Sequence, residues 1–259
     1  MNISGSNNNF ILRLFCSFLL YLCWFILWFL TYFSIDRLNH DFIENLNPNY
    51  PEIIIDIISI IITLSIHFFL YGKKKFALFK NYIKLDLKLL FYILLTVFFF
   101  FVLESTIALL FGEKLYMSEN SSILYFIDIV VIAPLSEELL YRFLMLNYLL
   151  PNNLKNKTSH KIISIVFISI IFSIGHWHFE PWLFTSHFLF SIIITIFYYR
   201  TRIFWLVFLI HSISNLIVYF HLYYYVQELN LSLMLIYLLF MSGIISCIYF
   251  LRKIILEND

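Results

Sequence analysis

The chain has 259 residues, of which 62% are hydrophobic, 21% aromatic and only 13% charged, against about a quarter charged in an ordinary soluble domain. A soluble globule of this length cannot bury so much apolar surface, and several apolar stretches reach the roughly 20 residues needed to cross a bilayer, so the composition excludes a soluble enzyme. The net charge of +1 carries no information on partners, because in a membrane protein the position of each charge matters more than the sum; the lipid bilayer is the expected surrounding, and no nucleic-acid partner is expected.

Apolar segments fall at about 10–33, 51–71, 88–111, 123–150, 162–179, 182–199, 203–222 and 231–251. At about 1.5 Å rise per residue each is long enough to be a membrane helix or close to it, and none has the pattern of a strand. The expectation is an all-α, polytopic transmembrane bundle of about eight helices, forming a single integral membrane domain over 1–259. The first run lacks a small-residue cleavage site and is longer than a signal-peptide core, which predicts an uncleaved first helix. Short connections at 177–182 and 199–202 allow only antiparallel neighbours. Cys16, Cys23 and Cys247 all lie inside apolar runs and are expected to be buried hydrophobes rather than a disulfide framework.

Charge distribution supplies an independent check on this map. Connections after the second, fourth and sixth segments, with the C-terminal tail, hold 13 of the 17 basic residues, including Lys73, Lys74, Lys75, Lys155, Arg200 and Arg252. The alternate connections hold only Arg37 and Lys114 among several acids. By the positive-inside rule both termini are cytoplasmic, in what is expected to be the plasma membrane. The Lys73–Lys88 cluster is read as this topology signal rather than as a headgroup site.

Ionisable side chains deep in a bilayer cost about 2.5–3.5 kcal/mol each even on the lenient insertion scale, so they need a compensating reason. The fourth segment carries Glu137, Glu138 and Arg142. Glu138 and Arg142 are four apart and share a helix face, where an ion pair can form. Glu137 is rotated about 100° away and lacks a local cation on its own helix, the situation in which a carboxylate is poised as a general base. Pro134 lacks an N–H and disturbs the helix against the carbonyl of Val130, which would open room for water. The fifth segment reads Phe172-Ser173-Ile174-Gly175-His176 and the seventh His211-Ser212-Ile213-Ser214-Asn215, with His211 and Asn215 on one face. Counted from the cytoplasmic helix ends, Glu138 lies about 20 Å above Pro151, His176 about 22 Å above Lys161 and Asn215 about 20 Å above Arg202, with His211 and Arg142 nearer 13 Å. One band of the membrane is thus expected to hold them all.

Glu137-Glu138-x-x-x-Arg142, Phe172-x-x-x-His176 and His211-x-x-x-Asn215, in this order on successive apolar segments, resemble the three signature motifs of the CAAX protease and bacteriocin-processing (CPBP) family, which includes the type II CAAX prenyl endopeptidases. The resemblance covers 123–222, the expected catalytic core. It implies a glutamate-dependent intramembrane endopeptidase acting on a membrane-associated protein or peptide precursor. Glu137, with His176, would activate water; His211 and Asn215 would stabilise the oxyanion; Glu138 and Arg142 would support the helix. No metal or other cofactor is implied. The family often has Gly after the Arg, where this chain has Phe143.

Other readings stay open on the sequence. His176, His178, His211, Glu137 and Glu138 are all metal-ligand types, although no H-E-x-x-H occurs, and there is no G-x-S-x-G elbow for a serine mechanism. A proton-coupled carrier would use similar buried charges, but no repeat relates the two halves. A non-catalytic relative serving in bacteriocin immunity or as a scaffold is the main alternative. Asp56 and Asp128 are expected near water at extracytoplasmic helix ends, and His67, His187 and His221 are expected to be ordinary membrane or interface residues. Nothing in the sequence chooses a substrate, a cleavage site, prenylation or an oligomeric state.

Overall fold

The computed structural model describes residues 7–42, 50–71, 123–150, 157–176 and 180–224, and every element among them is helical. They are α1 (Asn7–Phe42), α2 (Tyr50–Tyr71), α3 (residues 123–149), α4 (Thr158–Gly175), α5 (Pro181–Thr201) and α6 (Phe204–Tyr224). The all-α class is therefore as expected. The expected helices at 88–111 and 231–251, and with them Cys247, lie outside the described residues. Among the described residues four helices are long and apolar enough to cross a membrane, over Phe10–Thr31, Ile53–Leu70, Thr158–Gly175 and Leu183–Thr201, and the protein is an integral membrane protein.

The burial pattern is that of helices whose solvent is lipid. On α1 the buried stripe is Phe10, Arg13, Ser17 and Tyr21, while Ile11, Leu12, Phe15 and Phe18 face outward. On α2 Ile55, Ser59, Thr63 and His67 are buried, and Ile54, Ile57, Ile61 and Phe69 are exposed. Small and polar groups point inward and large apolar groups outward because lipid solvates Ile and Phe as well as protein does, whereas hydroxyls and imidazoles gain by leaving it. Helix α1 runs to Phe42 rather than ending near 33, since no Gly or Pro interrupts 7–42.

The chain divides into two compact units, Met1–Lys80 with Asn120–Ile170, and Asn81–Glu119 with Ile171–Asp259. In the first, α2 packs on both α1 and α3, and α1 also meets the 147–149 end of α3. Phe10 of α1 stacks on His160 at the start of α4, with ring centroids 3.9 Å apart and planes within 5°. In the second, α5 and α6 are packed neighbours joined by Arg202 and Ile203, as the short connection demanded. Pro181 opens α5 at a position where a missing N–H costs nothing. Arg202 closes it in the left-handed region, φ 54°, a conformation unusual outside glycine. It is held there by its N–H donating to the Tyr198 carbonyl at 2.8 Å, its Nε donating to the Tyr199 carbonyl at 3.1 Å, and its guanidinium lying 5.0 Å from the Tyr199 ring centroid.

Helix α3 is unusual along its length. Ile123–Ile127 is α-helical, Asp128–Ile132 is a π-turn, Ala133–Glu138 returns to α, Leu139–Leu146 is a second π-helical stretch, and Asn147–Leu149 is α again. The expectation that Pro134 would break the helix is thus refined: the chain stays helical but widens just before the proline, with the Ala133 N–H donating five residues back to the Asp128 carbonyl. Widening relieves the clash between the proline ring and the preceding turn without ending the helix.

Candidate active site

In the first unit the site is built on α3. Glu138 and Arg142 have no exposed side-chain surface, and Arg142 Nη1 donates to Glu138 Oε1 at 2.9 Å, so the pair that the four-residue spacing predicts is formed. Arg142 lies in the π-helical stretch from Leu139 to Leu146, in which Leu139, Leu140, Leu144 and Met145 are also buried. Charge removed from water to this extent is tolerable only when paired and hydrogen-bonded. Glu137, one residue earlier, is half-buried. It lies within electrostatic reach of the Tyr141 hydroxyl one turn on, and the Tyr141 ring in turn lies 6.2 Å from that of Tyr21 on α1. Adjacent glutamates therefore occupy different surroundings: one is fully buried against a guanidinium, the other is half-buried beside a tyrosine.

Helix α2 contributes more to this region than its sequence suggested. Ser136 Oγ donates to Asp56 Oδ1 at 3.4 Å, so Asp56 is tied to the residue preceding Glu137 rather than simply bathed in water. Asp128 is buried, 4% exposed, which corrects the expectation that water reaches it; the π-turn carries it into the helix packing. His67 is buried and its ring lies 4.1 Å from that of Phe143, so the residue standing where the family often has Gly meets an imidazole from the neighbouring helix.

In the second unit the centre is Phe172, fully buried on α4. Helix α4 ends at Gly175 and not at 179 as expected, which leaves His176 in the turn just beyond it; glycine is the residue most at ease where a helix stops. His176 Nδ1 lies 2.8 Å from the Phe172 carbonyl oxygen. A carbonyl only accepts, so Nδ1 carries the proton and Nε2 of the neutral ring holds a lone pair. The Phe172 ring is 4.4 Å from the His176 ring and 6.0 Å from that of His211 on α6. One aromatic side chain thus touches both candidate histidines, which gives the four-residue Phe-to-His spacing a structural reason. Phe190 of α5 meets His211 edge-on at 4.9 Å. His211 is buried, 3% exposed, and Asn215 follows one turn later, half-buried.

His187, expected to be an ordinary membrane or interface residue, stacks its ring on that of His176 at 4.1 Å, planes within 24°. The signal available was the polar stripe His187, Ser191 and Thr195 at four-residue intervals on α5, of which Ser191 and Thr195 are fully buried. Among the described residues no three His, Cys, Asp or Glu side chains converge as metal ligands would; His178 lies outside them.

Compared with known proteins, residues 119–217 match the family model described as type II CAAX prenyl endopeptidase, Rce1-like. No curated protein and no solved structure gives a match. The matched segment contains Glu137, Glu138, Arg142, His176, His211 and Asn215, and over it the chain is similar to the CAAX-type proteases, so that the resemblance to the CPBP family carried by the three motifs is borne out.

Proposed function

We propose that this protein is an intramembrane endopeptidase that hydrolyses a peptide bond in a membrane-associated protein or peptide precursor, with residues 123–222 as its catalytic core within a single membrane domain. The observation that carries the proposal is the different setting of the two glutamates on α3: Glu138 is fully buried and paired with Arg142 at 2.9 Å, whereas Glu137 is half-buried, and the proton-accepting role is assigned to Glu137. In this reading Glu137 takes a proton from water as the oxygen attacks the peptide carbonyl. His176, whose Nε2 is an acceptor in the neutral ring, shares in holding that water. His211 and Asn215 donate hydrogen bonds to the oxyanion, a contribution worth about 2.7–4 kcal/mol per donor in other hydrolases. The proton then passes to the leaving amine, and the peptide bond is replaced by a carboxylate and an amine. Lipid around the bundle keeps bulk water scarce at the site.

The test is direct. The protein, purified in detergent, is incubated with a farnesylated peptide ending in a CAAX sequence and with the same peptide unprenylated, and products are identified by mass. Cleavage abolished by Glu137→Gln supports the proposal. A folded wild-type protein that cleaves neither peptide nor a panel of membrane-anchored precursors would favour the immunity or scaffold reading.

A further inference from the structure

His176 occupies a half-buried position at a helix end, although a catalytic role requires it to aim a lone pair. It stands beyond Gly175, the last residue of α4, in the turn that follows the helix. Its own helix supplies two restraints, both from Phe172: the carbonyl that accepts from Nδ1 at 2.8 Å and the ring 4.4 Å away at 48°. The hydrogen bond holds the Nδ1 edge of the ring toward the Phe172 carbonyl, and the tilted Phe172 ring meets the imidazole obliquely. The nearly parallel contact comes from α5, where His187 stacks at 4.1 Å and 24°. His187 also lies 6.4 Å from the Phe172 ring, so the three rings form one cluster, and Phe190 on the same helix approaches His211 at 4.9 Å.

We propose that His187 is a positioning residue for the peptidase reaction: its ring, delivered by α5, sets the plane of the His176 imidazole and so the direction of Nε2. This rests on the proposed peptidase function. The feature required at position 187 is a flat ring, since the contact is face to face, and an aromatic substitute of similar width meets that requirement while a branched or amide side chain does not. Small errors in the aim of a catalytic group are expensive, with about 10²-fold lost for a displacement near 1 Å.

The experiment uses the full chain in detergent micelles, with ¹⁵N-labelled histidine, comparing wild type, His187→Phe, His187→Leu and His187→Asn, with the His176 signals assigned by loss in His176→Gln. Two readouts are taken. For cleavage of the farnesylated peptide, Leu and Asn are expected to lower kcat by about tenfold or more with KM little changed, and Phe to stay within about threefold of wild type, a graded loss below the full misplacement penalty. In the nitrogen spectrum, wild type and Phe are expected to show one His176 tautomer with Nδ1 protonated, and Leu and Asn a mixture. A folded Leu or Asn variant with wild-type kcat, or a Phe variant as impaired as Leu, overturns the proposal, and so does a single tautomer in all four proteins. Two ring-less variants are included so that the failure of one to fold leaves the comparison intact. Should the wild type cleave no peptide, the peptidase reading fails on its own account, while the tautomer comparison still decides whether His187 positions His176.

Discussion

Arg142 Nη1 lies 2.9 Å from Glu138 Oε1, with neither side chain exposed, one residue from a glutamate in a less enclosed setting. Removing one partner of such a buried pair leaves the other charge uncompensated, at a cost of about 3–5 kcal/mol. Glu138→Gln and Arg142→Ala are therefore expected to lower thermal stability in detergent by similar amounts. The combined change Glu138→Leu with Arg142→Met, which removes both charges and keeps apolar bulk, should recover most of that loss. Thermal melts of the three variants followed by circular dichroism check this, and a double variant no more stable than the singles would refute the pair's role.

Glu137→Gln is expected to melt as wild type does and to lose turnover by at least about 10²–10⁴-fold, the range of general-base contributions. Glu138→Gln should retain part of its activity per folded molecule. A wild-type rate in Glu137→Gln beside a folded, inactive Glu138→Gln would exchange the two roles.

Phe172 touches both His176 and His211. Phe172→Ala opens a cavity in a fully buried position and is expected to cost about 3–5 kcal/mol, whereas Phe172→Leu, with a smaller loss of volume, should fold yet lower kcat because the shared aromatic contact is gone. Equal kcat for Leu and wild type would show that the ring serves packing alone.

Chelation by o-phenanthroline is expected to leave cleavage intact, since the motif set lacks the H-E-x-x-H spacing. Activity lost on chelation and restored by zinc would make ligands of the histidines.

Reporter fusions should place Asp259 on the cytoplasmic side and a site between residues 43 and 49 on the opposite side, given where Lys and Arg cluster. The reverse accessibility would invert the topology.

Composition and hydropathy alone were enough for the membrane class and the helical fold, because in lipid a helix satisfies its backbone internally and the apolar run is written continuously in the chain. Local spacing was enough for the Glu138–Arg142 pair, since it is a contact within one helical turn. Contacts between segments far apart in the sequence were not legible. His187 meets His176 across a helix end, His67 meets Phe143 from α2, and Asp56 meets Ser136 eighty residues on. Each depends on which face of one helix is turned toward another, and in a chain whose faces are nearly all apolar the hydrophobic pattern does not encode that choice. Packing decides it, by bringing the few polar groups together out of the lipid.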